Sequence, residues 1–116
     1  MYEAIKDNKL FFTLLKLLES IGEIECIAVD HRTIAITKDR IVFCFITNVD
    51  IYLRADDKEA EYFAGEEYVF LGNKFQKLKR NYLNNHDIFL QIATKSYWLA
   101  SGMKKEEELE NQKLVK

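Results

Sequence analysis

The side chains of this 116-residue chain that could do covalent, metal or acid–base chemistry are two cysteines, two histidines and acidic clusters at Asp56-Asp57-Lys58-Glu59 and Glu66-Glu67. A thiol beside an imidazole makes a nucleophile, which would pair Cys44 with His31 or His86. Cys44, however, lies inside the apolar run Ile41 to Ile46, where burial raises a thiol's pKa, the wrong direction for a nucleophile. Cys26 and Cys44 have neither the CxxC spacing of redox and metal motifs nor the density of a disulfide scaffold, so both are expected to be reduced core residues. A disulfide or a redox sensor is the alternative left open. His31 falls in a predicted loop and His86 at a predicted helix start, with no ligand-type residue four positions away, so no zinc site is expected. The carboxylate clusters have the pairing that acid–base catalysis uses. Both nevertheless sit at the ends of predicted elements, where solvation or capping is their ordinary role. There is no GxSxG, GxxxxGK(S/T) or GxGxxG, and four glycines cannot build a phosphate cradle. The sequence therefore points to a non-enzymatic protein with no catalytic, cofactor or metal residue.

One segment has the character of a partner-binding surface. In Lys74 to Tyr82, the residues Lys77, Lys79 and Arg80 stand beside Phe75 and Tyr82 on a predicted strand. Basic residues interleaved with aromatics suit a strand-borne nucleic-acid contact. They equally suit an acidic protein surface, or an edge strand kept from aggregating by its lysines. The balance of 17 Lys and Arg against 19 Asp and Glu, a formal charge of −2, lacks the basic excess of a free-standing nucleic-acid binder. No sequence-specific DNA binding by the chain alone is expected. Trp98 is the fourth candidate, on a predicted closing helix where a lone tryptophan serves either the core or an interface.

The elements that must position these residues follow from periodicity. Leu10, Phe11, Leu14, Leu15, Leu17, Leu18 and Ile21 recur with helical spacing, predicting a helix from Asp7 to Ser20 capped by Asp7 or Asn8 and ended by Gly22. Its wide apolar face serves a core or, in part, a dimer interface. Ile24 to Val29, Thr33 to Thr37, Ile41 to Ile46 and Ile51 to Arg54 read as a meander, with Thr47 to Asp50 as one of its turns. The strand Ile41 to Ile46 is apolar on both faces, as a central strand of a covered sheet would be. Asp57 to Phe63 reads as a short acidic helix stopped by Ala64-Gly65, and Tyr68 to Leu71 pairs with Phe75 to Tyr82 around Gly72-Asn73. Asn84 or Asn85 then caps a closing helix that runs to Gly102. Residues 1–103 are expected to form a single domain, and the charged residues 104–116 a frayed or disordered tail. The sum is an α+β fold, an antiparallel sheet with helices packed on it, ordered α-β(3-4)-α-β(2)-α. The longest apolar run of about six residues is far below the roughly 20 that cross a bilayer. The N-terminus also lacks an export signal, so a cytoplasmic protein without membrane contact is expected.

The hairpin Val42-Phe-Cys-Phe-Ile46 with Ile51-Tyr-Leu-Arg-Ala55 resembles the "(M/V)FA(L/M)(I/V) … LYLR(A/G)" hairpin of the TfoX/Sxy N-terminal domain, found in bacterial regulators of natural competence. The resemblance runs from about Phe11 to Leu99 and includes an "LGxI"-like Ile21-Gly-Glu-Ile24. The chain departs from it at Ala28 to Ile34, which has neither the glycine nor the aromatic of the family's "(M/L)FG(G/S)Y" stretch, altering the loop Asp30 to Thr33. What the resemblance implies is the same element order, in a fold also used by secretion chaperones, and a transcriptional co-activator that works with the cyclic-AMP receptor protein. The partner would be that protein or RNA polymerase, met through Lys77, Lys79, Arg80 and Trp98. Many family members carry a second, C-terminal domain, so the resemblance implies either a stand-alone relative or a fragment. The other class the sequence supports is a chaperone-like homodimer that binds one dedicated protein.

Overall fold

A computed structural model describes the backbone of residues 9–115 and the side chains of residues 9–102. The cap expected at Asp7 or Asn8, and the docking of the charged tail, lie outside the described residues. Helix α1 spans Lys9–Leu18 and tightens into a 3-10 turn, Glu19–Ile21. Gly22 stops it as expected, at φ 125°, a backbone region that L side chains rarely adopt. Strands β1 (Glu25–Ala28), β2 (Ile34–Lys38), β3 (Ile41–Ile46) and β4 (Ile51–Arg54) follow as the meander, then β5 (Phe63–Phe70) and β6 (Asn73–Leu78). A 3-10 turn, Arg80–Asn84, leads into α2, His86–Val115. The Asn85 side chain accepts a hydrogen bond from the Ile88 N–H at 3.2 Å, which is the expected cap. The helix runs on through Gly102, which therefore does not end it.

All six strands join one antiparallel sheet in the order β1-β2-β3-β4-β6-β5. The α+β class and the helices on a sheet are thus as the sequence requires, with three differences of detail. Asp57 to Phe63 is not a helix. Asp57 Oδ1 takes the Glu59 N–H at 2.9 Å and the Phe63 N–H closes on the Ala60 carbonyl at 3.0 Å, so local turns win over a nucleus too short to propagate. Phe63 instead opens β5, opposite Leu78. Second, β6 ends at Leu78 rather than Tyr82, and it lies between β4 and β5. Its lysines therefore guard no edge. Third, the β5–β6 turn is Leu71-Gly72, one residue earlier than expected, with Phe70 paired to Asn73.

Both turn residues have positive φ, 51° at Leu71 and 81° at Gly72, the two-residue hairpin geometry that favours Asn-Gly. Leu71 is 86% exposed, so its side chain buries little to offset that strain. Replacing Leu71 with Asn should stabilise the protein by about 0.5–1 kcal/mol, because a left-handed leucine costs roughly that much or more. A urea midpoint that stays put or falls would contradict this.

The sheet has a core on each face. Under the helices, Phe11, Leu14 and Leu18 of α1 and Phe89, Ile92 and Tyr97 of α2 pack on Ile34, Ile36, Cys44, Ile46 and Leu53. A register shift after Ile36 makes Phe43 an extra residue in β3, since Cys44 pairs with Ile36 but Val42 already pairs with Thr37. Bulged residues turn the same way, so Phe43 and Cys44 both enter the helix-side core while Val42 and Phe45 face away. On that opposite face Phe45 and Phe75 are buried with Val42, Tyr52, Tyr68 and Phe70 packed around them, all of them strand residues among those described. The Phe45 ring lies 4.8 Å from Tyr68, 5.1 Å from Phe70 and 4.7 Å from Phe75. Three strand spacings of about 4.8 Å separate β3 from β5 in a flat sheet. The β5–β6 hairpin, which extends past its last β4 partner at Phe75, therefore curls over the face and supplies its own cover.

Candidate functional site

Lys77, Lys79 and Arg80 come together where β6 ends beside the β3–β4 turn. In that turn Thr47 Oγ1 accepts the Asp50 N–H at 3.0 Å and the Val49 N–H at 3.3 Å, which fixes the direction of the Val49 carbonyl. Arg80 donates to that carbonyl from Nε at 3.1 Å and also from Nη2, so it braces the 3-10 turn against the sheet. Lys77 is directly opposite Tyr52 and is half-buried. Its ammonium lies 2.7 Å from Glu66 and 3.6 Å from Asp50, and the Glu66 hydrogen bond raises its pKa. Two carboxylates thus neutralise the one lysine of the trio that points onto the open face. Lys79 is exposed; its backbone N–H reaches the Tyr62 carbonyl at 2.9 Å. Lys79 and Arg80 are both exposed without an ion pair among the described residues, but Arg80 is held by the Val49 carbonyl, which leaves Lys79 as the one of the three whose side chain makes neither bond there.

Trp98 is elsewhere. It lies on α2 at 48% exposure, against the Tyr97 ring at 5.3 Å, in a shallow recess with Ser20, Ile21, Lys38 and Thr94. That recess adjoins the β2–β3 turn, whereas Arg80 holds the β3–β4 turn. The length of β3, roughly 16 Å at 3.3 Å per residue, separates them. A single small contact cannot use both.

The recess is organised by an arrangement that sequence reasoning missed. The Tyr97 hydroxyl donates to Asp39 Oδ2 at 2.6 Å, and the Lys38 ammonium sits 4.2 Å from the centre of the Tyr97 ring. This clips the β2–β3 turn, whose Asp39 and Arg40 have φ of 54° and 66°, onto α2. The Tyr97 bond, then Lys38, hold the Asp39 carboxyl below its usual 3.8, and the same bond raises the Tyr97 phenol above its usual 10.0. A depressed carboxylate stabilises above its unfolded-state pKa and loses that contribution as pH falls through the folded value. A raised phenol stabilises below its unfolded pKa and loses it as pH rises. The clip is therefore whole between about pH 4 and pH 10. Tyr97→Phe should lower the urea midpoint within that window, and its effect should shrink as the pH falls below the ordinary carboxyl range and through the lowered value of Asp39. A drop that does not shrink on acidification would mean that the hydroxyl does not act through Asp39.

The residues with chemical potential are occupied structurally or kept apart. Cys44 is fully buried and Cys26 half-buried, and burial raises both thiols. Ile36 pairs with both, so the cysteines stand two strands apart, about 10 Å, beyond disulfide reach. Asp56 pairs with Arg54 at 2.7 Å, Glu66 with Lys77, and Glu67 accepts from Gln76 at 2.9 Å. Among the described residues no group of three or more His, Cys, Asp and Glu side chains is placed to hold a metal. Nor is any described helix long and apolar enough to cross a membrane. Compared with family models, curated proteins and solved structures, the chain finds no match.

The Tyr52-Leu-Arg-Ala55 signature is itself committed to the fold. Leu53 and Ala55 are buried, and Tyr52 packs on Tyr68 at 6.0 Å. Arg54 Nη1 donates to Asp56 and to the Lys74 carbonyl at 3.2 Å, binding β4 to the β5–β6 hairpin. The work of Arg54 here is to join strands.

Proposed function

We propose that this is a non-enzymatic cytoplasmic regulator of the TfoX/Sxy kind, acting through protein contacts as a transcriptional co-activator with the cyclic-AMP receptor protein. The observation that carries the reading is the hairpin. Val42–Ile46 and Ile51–Arg54 are adjacent antiparallel strands in the interior of the sheet, paired from Cys44 with Leu53 to Ile46 with Ile51. Support also comes from the surface, where Trp98 is half exposed and Lys79 faces solvent while Lys77 is neutralised. That distribution suits a protein partner better than a phosphate backbone, which needs several uncompensated cations. Two separate contacts are assigned, one at Trp98 and one at Lys79, with Arg80 and Lys77 holding the turn near Lys79 in shape.

The test is a titration of purified cyclic-AMP receptor protein, with and without RNA polymerase, followed through the fluorescence of Trp98. Binding that Lys79→Glu and Trp98→Ala each weaken, together with loss of output from a competence-promoter reporter, is the expected result. No binding to either protein and an unchanged reporter would refute the reading. Phe12, 55% exposed on α1, favours a second reading, a chaperone-like dimer for an amphipathic segment. Tight binding of one co-encoded polypeptide in place of the transcription proteins would select it.

A further inference from the structure

A separate recess, of about 210 Å³, lies between the end of β4, the start of β5 and α2. Four residues of α2 line it, Ile92, Lys95, Ser96 and Leu99, whose spacing puts them on one face of the helix. Phe63 and Ile92 are buried and make its apolar wall, and Leu99, 38% exposed, carries that wall to the surface. The stretch after β4 supplies the other side, where Asp57 forms its own turn with Glu59 rather than a helix.

Two cations and two carboxylates line the recess, and one pair is already committed, since Arg54 holds Asp56 at 2.7 Å. That leaves Asp57 and Lys95, of opposite sign and both exposed. No ion pair joins them to each other or to any other described residue. Beside Lys95, Ser96 is only 3% exposed, yet its hydroxyl makes no hydrogen bond with a described residue. Side-chain polar groups that deep are ordinarily satisfied. The Gln76 Oε1 is sealed off without a partner, but the Ser96 oxygen is not sealed, so a group can reach it through the recess.

We propose that this recess binds a free α-amino acid with an apolar side chain of about the size of leucine or methionine. The ligand's ammonium meets the Asp57 carboxylate. Its carboxylate meets the Lys95 ammonium and accepts a hydrogen bond from the Ser96 hydroxyl, and its side chain lies along Phe63, Ile92 and Leu99. An α-amino acid carries both charges beside one apolar group, so a single small molecule answers two unpaired charges, an unsatisfied hydroxyl and an apolar wall together. Charge-assisted bonds of this kind are the strong ones. The lining charges sum to zero, which matches a zwitterion and disfavours a nucleotide or a polyamine. At roughly 30 Å³ per water the recess has room for about seven waters. That suits such an amino acid and falls below the roughly 300 Å³ where sites for drug-sized ligands begin. This inference is independent of the regulatory reading, which rests on other residues.

The experiment is a titration of the isotope-labelled full chain with L-leucine and L-methionine up to millimolar concentration, followed by amide chemical shifts. Saturable shifts centred on Asp57, Phe63, Ser96 and Leu99 are expected, with little response to glycine, which lacks the apolar side chain. N-acetyl-leucine, without the ammonium, and leucine amide, without the carboxylate, should each bind at least about tenfold more weakly. Asp57→Asn and Lys95→Gln should each weaken leucine binding by a similar factor. Both side chains are exposed, and the asparagine keeps the oxygen that takes the Glu59 N–H, so circular dichroism melts should match the wild type's. The absence of any saturable shift with either amino acid overturns the proposal. Binding of N-acetyl-leucine or leucine amide as tight as leucine's overturns it equally, as does binding that both variants leave unchanged, because the recess would then not be reading a zwitterion.

Discussion

Phe45→Ala should cost about 3–5 kcal/mol, the range for deleting a fully buried phenylalanine. Phe45 is 0% exposed and stands at the hub of the face opposite α1 and α2, with Tyr68, Phe70 and Phe75 all within 5.1 Å of its ring. Removing it withdraws the surface on which the β5–β6 hairpin curls. The helix-side core does not lose a residue. The expected signature is therefore uneven: hydrogen exchange should accelerate first in β5 and β6, while β2 and the first turns of α2 lose protection only with global unfolding. Uniform acceleration at every site would mean that the two faces behave as one core. So would a urea midpoint close to the wild type's.

Phe43→Ala should cost a similar amount, about 3–5 kcal/mol. Phe43 is the bulge residue, and its ring packs edge-on to Tyr97 at 5.9 Å. Deleting the residue loses the same side chain, but Val42 stays opposite Thr37 and Ile41 opposite Lys38, so both keep their faces in a ladder made regular. The deletion variant should therefore fold, destabilised by about as much as Phe43→Ala. Phe43→Leu keeps the position and most of the volume, at a cost of about 1–2 kcal/mol. A deletion that abolishes the unfolding transition while Phe43→Ala keeps it would show that the bulge itself is required.

The bulge also marks where the sequence ceases to be legible. Ile41 to Ile46 reads plainly as a central strand because it is apolar throughout, and it is one. Which of its residues faces which side does not follow from alternation, because one inserted position reverses the phase midway. The meander and the Asn85 cap were open to local reasoning, since each is decided by residues close in sequence. Asp57 to Phe63 misled because its composition suits a helix start, while Asp57 prefers its own turn and Phe63 is claimed by a strand partner fifteen positions away, Leu78. Lys77 looked like an edge lysine for a similar reason. A hairpin signal reveals that two strands pair but not which of them docks on the rest of the sheet. The separation of Trp98 from the basic trio, and the clip from Tyr97 to Asp39 across 58 positions, depend wholly on how α2 lies.

The strand order has a consequence for how the chain assembles. Four of its five pairings join strands consecutive in sequence, and those close over short turns. The exception is β4 with β6, which must bring Arg54 to Phe75 across the intervening loop and strand. Loop-closure entropy is thus concentrated at that single seam. The meander and the terminal hairpin are each local units able to form by zipping, and the slowest step of folding is expected where Leu53 meets Gln76. Arg54 and the Ala55 N–H, both bonded to the Lys74 carbonyl, are the fasteners that keep the seam shut once it has closed.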